Sequence, residues 1–256
     1  MQIKILGCSG GIGGSRRTTS LLLGDDTLID CGTGVLDLEI EELVKIRRVF
    51  LTHTHLDHLL SLPLMLDTVQ EQAELQPLQL YLTEECDQIV REHLFNWKLW
   101  PDFFNLGEAE PTVLESRICA LGDIIKTAQC ELQVLPAQHS VPAVGYLVRS
   151  RSGASLAFSG DTSTNDQLWE ALNQQPDLDH LIIECSYTDA EQELSTKAKH
   201  YCSSSLAADL KNLEHQPDIY LTHLKPGAED EIVAEVQKLV PDRPVKALHN
   251  GQQFEL

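Results

Sequence analysis

The 256-residue sequence predicts an α/β fold of packed β-sheets covered by helices on their outer sides. Three observations carry that reading. From about residue 111 to 160, short apolar runs are separated by turns at Leu121-Gly122-Asp123 and Ser150-Arg151-Ser152-Gly153, the pattern of successive strands. From residue 165 onward, helical and strand patterns alternate. No linker, low-complexity tract or short repeat interrupts the chain. Residues 1–256 therefore read as a single domain, long enough for a sizeable core.

In chain order, strands Ile3–Cys8 and Thr19–Leu23 flank the loop Ser9-Gly10-Gly11-Ile12-Gly13-Gly14-Ser15-Arg16-Arg17. It lacks the Gly-Lys-Ser/Thr of a Walker A loop and the G-x-G-x-x-G of a dinucleotide site. It reads either as a tight hairpin connection or as a cradle in which Arg16 or Arg17 meets a substrate phosphate. Strand Thr27–Cys31 brings Asp30 to a glycine turn, where it either supports a metal ligand or caps the turn. An acidic helix is expected over 36–46 and a strand over Val49–Thr52. From Asp57 to about Glu74, Leu59, Leu62, Leu66, Val69 and Ala73 recur at helical spacing, although Pro63 would kink a helix beyond its first turn. Strand Leu78–Leu82 and helix Glu84–Leu94 follow. Five of the fourteen aromatic residues then fall between Phe95 and Phe104. Pro101 interrupts any helix there, so the segment is a satellite core or subunit interface, or else a platform for stacking a flat substrate group. Beyond residue 160 the expected elements are helix Asn165–Leu172, strand His180–Cys185, helix Ser203–Asn212, strand Ile219–Thr222, helix Glu229–Leu239 and strand Val245–Leu248.

Composition narrows the function. The net charge of −20, from 19 basic and 39 acidic residues, repels polyanions, so large nucleic acids and membranes are not expected partners. No apolar run approaches the ~18 residues of a membrane helix, and the N-terminal stretch lacks a signal-peptide pattern. The seven cysteines are scattered and form no C-x-x-C pair, which favours reduced thiols and a cytoplasmic location.

The chemistry concentrates in His53-Thr54-His55-Leu56-Asp57-His58, directly after the apolar run Val49-Phe50-Leu51. Three imidazoles and a carboxylate so close together cannot serve core packing without leaving polar groups unpaired, whereas they suit a borderline cation such as zinc. His139, Asp161 and His223 each follow an apolar run, where a rigid strand can aim a polar side chain into a shared cleft. With the first motif they make a seven-member ligand set. Asp161 is the natural bridge, because a carboxylate can serve two cations. His200 precedes a helix and is a candidate catalytic or substrate-contacting group, with Glu184 at a strand end as its partner.

This order of residues resembles the metallo-β-lactamase superfamily along essentially the whole chain. The resemblance implies a four-layer αββα sandwich with a two-metal cleft. It places His53, His55 and His139 on one zinc, Asp57, His58 and His223 on the second, and Asp161 between them, although manganese or iron suit the same donors. Within the superfamily, His53-Thr54-His55-Leu56-Asp57-His58-Leu59-Leu60-Ser61-Leu62 is similar to the class II 3′,5′-cyclic-nucleotide phosphodiesterases. So are Asn96–Pro101, His139–Tyr146 and Glu184-Cys185-Ser186-Tyr187; Pro63 departs from that signature. The implied activity is hydrolysis of a small phosphodiester by a zinc-activated hydroxide, with Asp57 or Asp161 orienting the nucleophile and His200 protonating the leaving oxygen. The remaining expectations are another hydrolysis on the same site (RNA 3′-end processing, thioester or lactam cleavage), a non-catalytic metal-binding protein, and a homodimer.

Overall fold

The computed structural model describes residues 1–70, 76–107 and 112–256. The first strands are β1 (Gln2–Gly7), β2 (Ser20–Leu23), β3 (Thr27–Ile29), β4 (Arg48–Phe50), β5 (Leu78–Leu82) and β6 (Leu114–Ile118). They lie side by side in that order, and β1 is flanked on its other edge by the last strand of the chain. A second sheet takes β7 (Ile124–Lys126), β8 (Cys130–Pro136), β9 (Val144–Ser150), β10 (Ser155–Phe158), β11 (His180–Glu184), β12 (Asp218–Thr222) and β13 (Val245–Ala247). The strand beside β1 is β14 (Gln253–Glu255), with Gln2 opposite Glu255. Among the described residues, therefore, two seven-stranded sheets form.

Three apolar clusters define four layers. Ile3, Ile5, Leu21 and Phe50 of the first sheet meet Leu132, Tyr146, Phe158 and Ile182 of the second, and all are buried. The outer face of the first sheet packs Leu80 against Leu62 and Leu66 of a helix and Val90 of another. The outer face of the second packs Leu181 and Leu221 against Trp169, Leu206 and Ile232. Helix, sheet, sheet, helix is the expected αββα order.

The helices are α1 (Ile40–Leu43), α2 (Leu56–Leu59), α3 (Ser61–Val69), α4 (Glu84–His93), α5 (Asp166–Asn173), α6 (Gln192–Ala198), α7 (Ser203–Asp209) and α8 (Glu229–Leu239). Two expectations need correction. The helix expected over 36–46 is a 3-10 turn at Thr33–Asp37 followed by the short α1, because Leu38 is extended and Glu39 begins a new helix with a capping box to Glu42. The helix expected over 57–74 starts one residue earlier and is divided at Leu60, where Ser61 N bonds Cys31 O instead of continuing the helical ladder. Pro63 thus falls in the first turn of α3, where its missing N–H costs little. The expected end of that helix, including Ala73, lies outside the described residues.

The aromatic segment resolves into two parts. Phe95 and Phe103 are buried in the outer core of the first sheet, whereas Trp97 and Leu99 are 63% and 61% exposed. Helix α4 leaves the C-terminal end of β5 and runs back along the sheet. Phe103 O accepts hydrogen bonds from Val113 N and Leu114 N at the start of β6. The segment therefore sits at the end of the sheet away from the C-terminal edges of β3 and β4. A helix of this length spans about 15 Å, too far for Trp97 to stack on a group held at the other edge of the same chain.

Phe50 links the layers to the functional edge. It stacks on Tyr81 at 4.3 Å, meets Tyr146 edge-on at 5.6 Å, and lies three residues before His53. Phe50→Ala is expected to lower unfolding stability by about 3–5 kcal/mol in denaturant titrations; a loss below about 1 kcal/mol would contradict its place in the shared core.

Candidate metal centre

The parallel arrangement places one set of strand ends together. β3 and β4 run parallel, as do β10, β11 and β12, and β8 shares their direction through two antiparallel steps. The chain leaves β4 into His53 and His55, with Asp57 and His58 in the first turn of α2. β8 leads to His139, β10 to Asp161, and β12 to His223. All seven side chains singled out from sequence converge here. Single donor atoms from His53, His55, His139 and Asp161 lie within 4.8 Å of one another, as do those from Asp57, His58 and His223.

Asp161 occupies the centre. Its carboxylate oxygens lie 3.3 Å from His58 Nε2, 3.3 Å from His223 Nε2, 3.7 Å from His53 Nε2 and 3.9 Å from His139 Nε2. Burial opposes ionisation of Asp161, but His223 and His58 outweigh it and hold the group well below the usual carboxylate range. Asp57, partly open to solvent, is also held below that range: burial opposes ionisation, and His223, whose Nε2 lies 3.1 Å from Asp57 Oδ2, together with the charge of His58 outweighs it.

A second ring of contacts fixes each imidazole. His58 Nδ1 donates to Asp30 Oδ2 at 2.7 Å. Asp30 also accepts from Thr52 N at 2.8 Å and from Thr52 Oγ1, whose oxygen lies 3.0 Å from His53 Nδ1. Of the two readings of Asp30, the structure thus shows support of an imidazole. His139 Nδ1 donates to the carbonyl of Lys199 at 3.0 Å, and His223 Nδ1 donates to Ser186 Oγ at 2.9 Å. These contacts direct Nδ1–H outward and turn the Nε2 lone pairs toward the centre. Among described residues, four non-glycine residues have positive φ, and Asp30, Lys199 and His223 are three of them. Backbone strain of this kind gathers where side chains must be aimed.

This donor set fits divalent cations. Among the described residues, the buried His53 Nε2 and His58 Nε2 have no hydrogen-bond partner, although both face a carboxylate. Opposed lone pairs at such distances repel unless a cation or a proton lies between them. Burial and the charge of His58 push His53 well below the ordinary imidazole range, and burial lowers His55 and brings His139 to about 4, so the uncharged form of these three rings is favoured; His139 Nε2 and His55 Nδ1 face each other at 3.1 Å. His58 behaves oppositely. Burial opposes its protonation, but Asp161 and Asp30 outweigh it and raise its pKa well above the ordinary value.

His200 and Glu184 also meet, with His200 Nδ1 2.8 Å from Glu184 Oε1. Glu184 is fully buried, and accepts from Thr162 N at 3.1 Å and from Ser186 Oγ at 3.2 Å. The His200 ring packs against His139 and His223, with centroids 4.8 and 5.1 Å away. Burial lowers its proton affinity, and Glu184 outweighs this, so its pKa is raised. Asp161, His200 and His223 form a third group able to converge on one ion.

The glycine-rich loop is the hairpin connection between β1 and β2. A Cβ at Gly10 would stand 2.4 Å from His223 O, so only glycine lets the loop lie against that turn. Its arginines are engaged elsewhere, Arg16 with Glu229 at 2.7 Å and Arg17 with Asp37 at 2.9 Å. The phosphate-cradle reading is therefore not supported. Sequence reasoning did not assign Thr52, Ser186 or the Lys199 carbonyl; adjacency of Thr52 and Ser186 to the chosen residues was the only available signal.

A family model described as the beta-lactamase superfamily domain matches residues 26–241. The chain belongs to this superfamily. Its layers are those of the metallo-β-lactamase fold. Among curated relatives, ribonuclease Z of Clostridium acetobutylicum is 23% identical over 89% of each chain. A probable 3′,5′-cyclic-nucleotide phosphodiesterase of Yersinia pestis is 25% identical over 82% of this superfamily member and 66% of its own length. The crystal structure of unliganded yeast PDE1 superposes with a TM-score of 0.83 at 16% identity, covering 100% of this chain and 99% of that one. No described helix is long and apolar enough to cross a membrane.

The raised pKa of His58 sets the sign of a pH effect. At pH 7 the site carries a proton that a cation must displace, so affinity should fall as pH drops, starting above the ordinary imidazole value of about 6.5. Calorimetric zinc titrations in buffers of different ionisation enthalpy should show release of about one proton or more at pH 7. Binding without proton release would contradict the assignment of His58 to the ion.

Proposed function

We propose that the protein is a metal-dependent phosphodiesterase that opens 3′,5′-cyclic nucleotides to 5′-monophosphates. His53, His55 and His139 would hold one divalent cation and Asp57, His58 and His223 another, with Asp161 shared; the imidazole and carboxylate donors favour two Zn2+, with manganese or iron as alternatives. Such cations supply a water-derived nucleophile at neutral pH and offset charge developing on the phosphoryl oxygens. The common core between the sheets supports reading residues 1–256 as one domain.

The observation that carries this reading is the Glu184–His200 pair set against the imidazole cluster. Glu184 accepts from Nδ1 and raises the pKa of His200, which favours the ring carrying protons on both nitrogens. A sugar alkoxide is a poor leaving group and needs that proton as the P–O bond breaks. Ser186 ties the pair to His223, so general acid and cluster are positioned by one network. Asp57, the ligand-set carboxylate that reaches solvent, orients the incoming water. The phosphodiesterase name of the Yersinia relative and the fold shared with yeast PDE1 support the substrate class.

RNA 3′-end processing is the second reading, favoured by the ribonuclease Z relative that covers 89% of each chain. The net charge of −20 weighs against a long polyanion.

His200→Ala separates general-acid chemistry from mere structure. Turnover of 3′,5′-cAMP should fall by about 10²–10⁴-fold, while a nitrophenyl phosphodiester, whose leaving group needs no proton, should lose less than about tenfold. Equal losses on both substrates, with metal content unchanged, would contradict the acid role.

A further inference from the structure

A groove of about 510 Å³ opens along the segment that carries His139, with the exposed Gln138 and the backbone side of His139 among its lining residues. One side is the end of β6 and the turn after it, with Ile118 and Leu121 53% and 58% exposed. The other is the segment containing Pro142 and Ala143. Glu84 and Glu85, exposed in the first turn of α4, also line the groove. The volume is in the range of small-molecule sites, and bare aliphatic side chains facing solvent are what an apolar ligand surface would cover.

The groove is pre-formed. Cys86 Sγ donates to Pro142 O at 3.4 Å, tying α4 to the opposite wall. Gln138 N donates to Thr162 Oγ1 at 2.9 Å, Ser163 N donates to Gln138 O at 2.9 Å, and Val144 N donates to Thr52 O at 2.9 Å. Thr52 also supports His53 and Asp30, so the wall and the cluster share an anchor.

Its charge is informative. Among the described residues, no lysine or arginine lines the groove, and neither Glu84 nor Glu85 forms an ion pair with a cationic side chain. A second phosphate entering here would meet two carboxylates and no cation, at a cost that rises with desolvation. A neutral, flat ring would instead cover Ile118, Leu121 and Pro142, and its N–H groups would find carboxylate acceptors along the lining.

We propose that this groove binds the uncharged heterocycle of the substrate, that Glu84 and Glu85 select rings presenting N–H donors, and that it disfavours a continuing phosphate chain. A guanine ring, with adjacent N1–H and N2–H donors, matches a carboxylate best. The inference rests on the phosphodiesterase reading and adds its specificity element: a mononucleotide diester satisfies both cluster and groove, whereas an RNA chain passing this way would not.

Metal-replete wild type, Ala143→Trp (which fills the groove) and Leu121→Trp (at an exposed position unable to unfold the core) are to be compared on 3′,5′-cGMP and methyl p-nitrophenyl phosphate, with matched circular dichroism. Both variants should lower the ratio of kcat/KM for cGMP to that for the small ester at least tenfold, mainly through KM. Glu84→Lys/Glu85→Lys should lower it in the same direction. An unchanged ratio would overturn the groove assignment. If the wild type hydrolyses the ester but no cyclic nucleotide, the proposed activity fails independently. Saturation-transfer NMR with guanosine then decides the groove: binding that Ala143→Trp abolishes supports it, and no binding by the wild type overturns it.

Discussion

Asp161 is buried with four imidazole nitrogens 3.3–3.9 Å from its oxygens. A carboxylate withdrawn from water in this way needs compensating positive charge, and the surrounding imidazoles can provide it only by taking protons or by sharing cations with it. The rest of the edge follows from that requirement. His53, His139 and His223 must turn Nε2 inward, so Thr52, the Lys199 carbonyl and Ser186 occupy their outer nitrogens. His58 must lie against Asp161, so Asp30 adopts a positive φ to hold its other face. The strain at Asp30, Lys199 and His223 is the counterpart of that aiming.

Two parallel strand groups meeting at one edge make such crowding available. His53, His139, Asp161 and His223 each follow a strand by a few residues, Asp57 and His58 come from the first turn of α2, and packing between the sheets that includes Phe50 holds the edges together. Glu184 then serves two histidines at once: it holds His200 directly and His223 through Ser186. Under the proposed function, leaving-group protonation and metal holding would thereby be joined in one hydrogen-bond network.

Much of this was legible in the sequence because the informative residues are chemically unusual for their places. His53-Thr54-His55-Leu56-Asp57-His58 is contiguous, and His139, Asp161 and His223 are polar residues at the ends of apolar runs. The supporting residues were not legible. Serine, threonine and a backbone carbonyl occur everywhere, and only tertiary contact reveals which of them orient an imidazole. Local pattern also failed where apolar spacing was weak or pairing was distant. Helix α6 buries little beyond Ser195, and β14 exists because Gln2 and Glu255 are opposite one another from the two ends of the chain. The aromatic segment was conspicuous in composition, yet its position depends on the direction in which α4 runs, which composition does not encode.

The proposed activity of this cluster is hydrolysis of a nucleotide phosphodiester. Chromatographic detection of 5′-AMP from 3′,5′-cAMP, using zinc-replete wild type beside Asp161→Ala, tests it most directly. Product from the wild type and none from the variant is the predicted result. No product from wild type shown to hold its metals would contradict the claim and redirect the search to linear diesters, RNA ends and thioesters.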